Sequence, residues 1–176
     1  MKSEFITLTD YHLSKGFILG RNRRIESAKN NRQNRQDLDD DIENMESIDF
    51  QGAFGETAAY VYFKEFFPKI VWNHNNGHYR GHTADFDDFI DVKTTKTNAL
   101  IIPRDDHVDD WAYVGICCNM HPTYEIFGWC WCRDALHDVY LKELSRRRKP
   151  PYVIDRNNPI LQPIETLKQY ILENKC

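Results

Sequence analysis

The sequence predicts an α/β domain in which a mixed β-sheet is flanked by helices. Helical spacing of apolar residues occurs near the N-terminus, again before Pro68, and once more at the C-terminus, while short apolar runs typical of strands fill the middle of the chain. With 176 residues, 41% of them hydrophobic, the chain is long enough for one domain with a core of its own.

Composition and charge restrict the classes of protein to which the chain can belong. A net charge of −4 argues against a uniformly basic nucleic-acid binder, although a local basic face can still hold phosphate. No apolar run approaches the roughly 20 residues that span a bilayer, and the N-terminus lacks the apolar segment of a signal peptide. Five cysteines, an odd number, fit a reducing compartment. We therefore expect a cytoplasmic protein without a membrane partner.

The first helix is predicted from residue 9 to about residue 30. Thr9 can cap it, whereas Gly16 and Gly20 weaken it and allow a break. Its second half begins a basic run, which forms either a solvated charged face or a set of phosphate contacts. The members of this run are Arg21, Arg23, Arg24, Lys29, Arg32 and Arg35.

A second helix is predicted from about Ser47 to Phe67, where Pro68 ends it. Gly52 and Gly55 would let this helix approach a neighbouring element closely. Glu56 follows directly, in a part of the helix that could face the motif described next.

Residues 84–96 predict two short strands joined by an acidic turn. Alternation along the second strand places Asp91 and Lys93 on one face and their apolar neighbours on the other. A two-residue loop would turn Asp85 away from that face, whereas a three-residue loop (Asp87 to Phe89) would place it opposite Asp91. Both lengths are common, and we expect the longer one. Two carboxylates beside a lysine are what a metal-dependent phosphodiesterase needs to hold a cation and to orient water.

The order of these motifs resembles the PD-(D/E)XK nuclease superfamily, in particular small nucleases often carried by bacteriophages. The similarity rests on Asp85, on Asp91-Val92-Lys93 and on Glu56 in the preceding helix. It covers about residues 45 to 136, and the proline that often precedes the first aspartate is Ala84 here.

This resemblance implies a restriction-endonuclease-like fold, a mixed central β-sheet flanked by α-helices, and a metal-dependent nuclease that hydrolyses phosphodiester bonds of nucleic acid, with DNA as the expected substrate. The implied catalytic residues are Asp85, Asp91, Lys93 and Glu56, and the implied ligands of Mg²⁺ or Mn²⁺ are Glu56, Asp85, Asp91 and the Val92 carbonyl. The candidates for nucleic-acid contacts are Arg21, Arg23, Arg24 and Lys96. The alternative is a nuclease-fold module without turnover that binds nucleic acid or protein.

We expect one domain over residues 1–176, with an N-terminal helix and polar loop (1–45), a catalytic core (46–136) and a C-terminal helical extension (137–176). Many enzymes of the superfamily act as homodimers, although no coiled coil or interface stripe is seen in this sequence. The remaining predicted elements are strands at Ile70–Trp72, Leu100–Pro103, Trp111–Cys118 and Tyr124–Cys132, and helices at 134–146 and 164–174.

Three further groups of residues are compatible with binding but have simpler explanations. The cysteines at 117, 118, 130 and 132 lack the spacing of common zinc sites, and we interpret them as small buried hydrophobes rather than ligands. The histidines at 74, 78 and 82 are interpreted as solvated loop residues. The basic run from Arg146 to Lys149 suits a helix C-terminus or a phosphate-binding surface.

Overall fold

A computed structural model describes residues 2–29, 42–73, 83–104, 108–144 and 149–174. Its centre is a mixed four-stranded sheet, flanked by helices, with the strand order β1-β5-β4-β2. The strands are β1 (Glu4–Thr7), β2 (Ile90–Thr95), β4 (Ala112–Met120) and β5 (Thr123–Trp131). The predicted mixed α/β architecture is confirmed at this level.

Strand direction changes within the sheet. β2 runs parallel to β4, with Asp91 beside Tyr113 and Lys93 beside Gly115. β5 runs antiparallel to both β4 and β1. Both β4 and β5 are buried over most of their length, as their near-continuous apolar sequence predicts for strands in the middle of a sheet. β1 was not predicted, because four residues are too few for a clear alternating pattern.

Two long helices, α1 (Asp10–Lys29) and α2 (Ile42–Phe66), pack against each other. The break that the two glycines of α1 would allow is not present, and α1 is continuous. A Cβ atom added at Gly16 would lie 2.5 Å from a Phe54 ring carbon, and one added at Gly20 would lie 2.6 Å from a Phe50 ring carbon. These glycines therefore bring the helices together instead of interrupting one of them.

Helix α2 also approaches β2 closely. A Cβ atom added at Gly55 would lie 1.8 Å from Thr94 Oγ1 and 2.8 Å from Thr94 Cβ. The expectation of close approach at this glycine is confirmed. Because Thr94 faces α2, alternation along β2 turns Asp91 and Lys93 toward the other face of the strand.

The C-terminal part of the chain differs from its prediction. The helix expected over 134–146 is only one short turn, α3 (Cys132–Ala135), followed by a 3₁₀ turn at Asp138–Tyr140. Leu141 then bridges Tyr152 at the start of β6 (Tyr152–Asp155), which pairs antiparallel with β3 (Ala99–Ile102) in a separate sheet. Backbone pairing with β6 therefore replaces helical hydrogen bonds in this segment, and the extension after residue 136 is not purely helical.

The last helix, α4 (Ile164–Asn174), matches its prediction and buries Ile164, Leu167 and Ile171. The predicted strand at Ile70–Trp72 is reduced to one bridge between Trp72 and Phe86. Among the residues that the structure describes, no helix is long and apolar enough to cross a membrane.

Replacement of Gly55 by alanine should destabilise the protein by about 2–4 kcal/mol, because the added methyl group overlaps both the hydroxyl and the Cβ of Thr94. Gly52→Ala is the matched control on the same helix, since a Cβ there meets only Arg23 Nη1 at 3.8 Å. This control should be neutral or stabilising by up to about 1 kcal/mol. Urea denaturation of the two variants measures the difference, and equal stabilities would contradict the packing described.

Candidate active site

The turn before β2 has the three-residue loop that the sequence analysis expected. Phe86 pairs with Ile90, each backbone N–H donating to the carbonyl of the other at 3.0 and 2.9 Å. Asp87 and Asp88 adopt left-handed backbone conformations, with φ of 47° and 61°, which aspartate tolerates better than most residues. With Phe86 opposite Ile90, Asp85 lies opposite Asp91. The predicted register of the two aspartates is confirmed.

Asp91 and Lys93 form an ion pair on one face of β2. The Lys93 ammonium nitrogen lies 2.7 Å from Asp91 Oδ2, and the two side chains are only 15% and 11% exposed. The same ammonium lies over the ring of Tyr113, 5.2 Å from its centroid. Tyr113 is fully buried on the neighbouring strand. Lys93 is therefore held between a carboxylate and an aromatic face, both of which attract its positive charge.

Asp85 lies at the edge of β2, half-buried. Its Oδ2 atom accepts a hydrogen bond of 2.8 Å from the Val92 N–H. The N–H and C=O of one residue point to the same side of a strand, so the Val92 carbonyl also points toward this edge and away from β4. The backbone oxygen implied as a metal ligand and the Asp85 carboxylate thus share one edge of the sheet.

Glu56 approaches the hairpin from α2 and is 5% exposed. Both of its carboxylate oxygens accept hydrogen bonds from Arg23, at 2.6 Å from Nη1 and 2.5 Å from Nη2. This bidentate pair joins α1 to α2, and its side chains are 13% and 7% exposed. Arg23 was a candidate for phosphate contact and Glu56 a candidate for metal binding. In the structure each of them is engaged by the other.

The carboxylates at the edge of β2 repel one another. Burial raises the pKa of Asp85 well above its ordinary value, and the nearby negative charges of Glu56 and Asp91 raise it further. The Arg23 charge and the Val92 N–H oppose this increase but do not cancel it. The charges of Glu56, Asp91 and Arg23 therefore all act on Asp85.

The donor set suits a hard divalent cation in its chemistry, since it offers carboxylate oxygens and a backbone carbonyl. The excess of negative charge around Asp85 fits a cation equally well. Within the described ranges, however, no three side chains among His, Cys, Asp and Glu stand close enough together to hold a metal ion as they are. Binding of a cation by all three acids therefore requires a side-chain rearrangement, and Glu56 is the carboxylate that Arg23 holds on both oxygens.

The other candidates for nucleic-acid contacts lie outside this cluster. Arg21 is exposed and Arg24 is half-buried on α1, the helix that brings Arg23 to Glu56. Lys96 is exposed just after β2, where its carbonyl accepts a hydrogen bond of 2.8 Å from Asn119. None of them contacts Glu56, Asp85 or Asp91 in the hydrogen bonds and ion pairs described above.

The prediction that the cysteines are buried is confirmed for three of the four that the structure describes. The four described cysteines are free thiols, three of them buried and Cys118 half-buried. Burial raises the pKa of Cys130 to about 12, which disfavours the thiolate that a metal requires. The histidines at 74, 78 and 82 and the arginines at 146–148 lie outside the described residues.

Two features of the site were not foreseen. Tyr113 faces Lys93 only because β4 is parallel to β2 and in this register, and no local sequence signal gives the register. The Arg23–Glu56 pair links residues 33 positions apart, and the basic run of α1 did not distinguish Arg23 from its neighbours.

Comparisons of this chain with models of protein families, with curated proteins and with solved structures gave no match.

The raised pKa of Asp85 predicts how stability depends on pH. Because the folded pKa exceeds the unfolded one, the stabilisation is fully present below the ordinary carboxyl pKa of about 4 and is lost as the pH rises through the raised value. Asp85→Asn, which keeps an oxygen for the Val92 N–H, should therefore be more stable than the native chain at pH 7 in metal-free buffer. Denaturation with urea at pH 4 to 8 measures this, and a native advantage at pH 7 would refute it.

Proposed function

We propose that this chain is a metal-dependent nuclease with a restriction-endonuclease-like fold, acting on DNA in the cytoplasm. The observation that carries the proposal is the register of the turn before β2, which puts Asp85 opposite Asp91. Lys93 lies 2.7 Å from Asp91, and Glu56 is close enough to raise the pKa of Asp85. Three carboxylates and a lysine at one edge of a sheet are costly for stability and useful for hydrolysis of a phosphodiester.

In this proposal the cation would be held by Glu56, Asp85, Asp91 and the Val92 carbonyl. When bound, a divalent cation supplies positive charge for the scissile phosphate and lowers the pKa of bound water. Asp85 and the Val92 carbonyl share one edge of β2. The hydrogen bond from the Val92 N–H holds the Asp85 carboxylate in position, so this carboxylate would need little reorientation to bind a ligand.

Lys93 provides a fixed positive charge in this proposal. Its ammonium is bound by Asp91 and lies over Tyr113, and both neighbours attract its positive charge. As water attacks phosphorus and the ester bond breaks, negative charge accumulates on the phosphate oxygens. A preorganised ammonium beside them stabilises this charge without reorganising at that moment. Charge stabilisation by Lys93 is thus favoured over abstraction of the water proton.

The exposed charges of α1 support nucleic acid as the substrate. Arg21 is exposed on the same helix that delivers Arg23 to the site, and Lys96 is exposed at the end of the strand that carries Asp91 and Lys93. Exposed basic side chains of this kind can neutralise phosphates of a nucleic acid, and their contribution would weaken as salt rises.

Asp91→Asn and Lys93→Gln should each lower the rate of DNA cleavage in Mg²⁺ or Mn²⁺ by about 100-fold or more, because each removes a charge that acts on the reacting phosphate. A panel of labelled duplex, single-stranded and flapped DNA and of RNA identifies the substrate first. The matched controls are Asp155→Asn and Lys142→Ala, which break an ion pair of the same residue types at 3.0 Å with side chains 69% and 45% exposed. Cleavage at the native rate by either site variant would refute the assignment.

A second function, that of a binding module without turnover, is favoured by one observation. Glu56 is bound by Arg23 and Asp91 by Lys93, so two of the three acids already have internal cations. Calorimetric titration separates the two functions. A nuclease should bind Mn²⁺ with heat that disappears in the Asp85→Asn/Asp91→Asn variant, whereas a binding module should give no such heat and still bind nucleic acid.

A further inference from the structure

Arg23 occupies an unusual place beside the candidate metal site. Its guanidinium binds both oxygens of Glu56, and its Nη1 atom lies 3.8 Å from the position that a Cβ of Gly52 would take. A Cβ at residue 52 would make only an ordinary van der Waals contact with the guanidinium, which therefore lies against the surface of α2. From this position the Arg23 charge also acts on the Asp85 carboxylate.

Resting on the proposed function, we propose that Arg23 is the internal counter-ion of the metal site, which occupies Glu56 in the metal-free protein and competes with the divalent cation for it. The donors of a bidentate guanidinium and a divalent cation seek the same carboxylate oxygens. A cation bound by Glu56 would also stand close to a guanidinium that remained on this carboxylate, and the two positive charges would repel each other. Arg23 therefore raises the cation concentration that is needed to occupy Glu56.

A purely structural role for this pair is weaker on electrostatic grounds. The chain has a second bidentate Arg–Glu pair, in which Arg156 binds Glu125 and also donates to Ser3. That pair links β5 to the segment after β6. The charge that shifts the pKa of Glu125 is that of Arg156, and no second carboxylate contributes. Glu56 instead lies near a second carboxylate, that of Asp85, on which the charge of Asp91 also acts. Arg23 is therefore placed among several carboxylates, where a divalent cation would compete with it for Glu56.

Arg23 would contact a different partner in the metal-bound state. Once a cation takes Glu56, the guanidinium no longer binds this carboxylate and can turn to an anion near the site, and the scissile strand supplies phosphates there. The contact with phosphate that the sequence analysis assigned to Arg23 and the contact with Glu56 seen in the structure thus belong to two states of one side chain. Arg23 is a positioning residue in the first state and a substrate contact in the second.

Titration of the purified protein with MnCl₂ by calorimetry, without nucleic acid, tests this proposal. Arg23→Gln should bind Mn²⁺ about tenfold more tightly than the native chain, because the competing charge-assisted hydrogen bonds are gone. Arg156→Gln is the matched control: it removes the same charge and breaks a pair of the same type, and its Mn²⁺ affinity should stay within about twofold of native. Unchanged or weaker Mn²⁺ binding by Arg23→Gln would overturn the proposal.

The same measurement in a Glu56→Gln background shows whether the effect passes through Glu56. Glu56→Gln should weaken Mn²⁺ binding, and adding Arg23→Gln to it should bring no tightening beyond that of Arg156→Gln. A full tenfold gain in that background would mean that Arg23 acts only through its overall charge, and the assigned competition would be wrong.

The test remains decisive even if the Arg23→Gln variant fails to fold without metal. If Arg23→Gln is unfolded in EDTA, its refolding on addition of Mn²⁺, seen by circular dichroism, supports the proposal, and failure to refold refutes it. Arg23→Lys keeps the charge but loses the bidentate geometry, so its Mn²⁺ affinity should lie between those of the native and Gln proteins.

If the native chain cleaves DNA and binds Mn²⁺ but Arg23→Gln gains nothing, only the role of Arg23 fails. If neither protein binds Mn²⁺, the nuclease proposal fails with it.

Discussion

The close approach of α2 to β2 at Gly55 is the constraint on which the candidate site depends. Because residue 55 has no side chain, the helix backbone rests directly on Thr94, and the next residue, Glu56, reaches the edge of β2. A larger residue would hold α2 away from the sheet and would separate Glu56 from Asp85. The length of the turn at 87–89 is the second constraint, because it determines whether Asp85 lies on the same face as Asp91.

Once these acids are brought together, electrostatics determines the rest of the arrangement. Two buried carboxylates and a half-buried one would be too unfavourable without positive charge. Arg23 and Lys93 provide it, one from α1 and the other from β2 itself. Burial and the repulsion from Glu56 and Asp91 nevertheless raise the pKa of Asp85. The positive charges of Arg23 and Lys93 therefore allow the site to fold but do not balance all three acids. This remaining negative charge would favour binding of a divalent cation.

The sequence predicted the parts of this protein whose signals are local. The period of apolar residues gave α1, α2, α4 and the two central strands, and the spacing of Asp85 and Asp91 gave two loop lengths, of which the structure has the longer. Contacts between distant segments were not predictable in this way. The parallel register that brings Tyr113 to Lys93, the Arg23–Glu56 pair and the pairing of Leu141 with Tyr152, which replaced an expected helix, all depend on tertiary packing that periodicity does not encode.

The two Arg–Glu pairs described above differ in the charges that surround them. Although burial opposes the effect, hydrogen bonds from Arg156 and Ser3 lower the pKa of Glu125, as expected of a carboxylate whose cation satisfies it. At the edge of β2 a similar pair lies beside two further acids, and the pKa of Asp85 is raised despite the nearby arginine. Replacement of Asp85 by an uncharged residue would relieve the repulsion at little structural cost, since an amide oxygen can still accept from the Val92 N–H. A carboxylate at this position therefore costs stability, and in the proposed function this cost is offset when the carboxylate binds a cation together with Asp91.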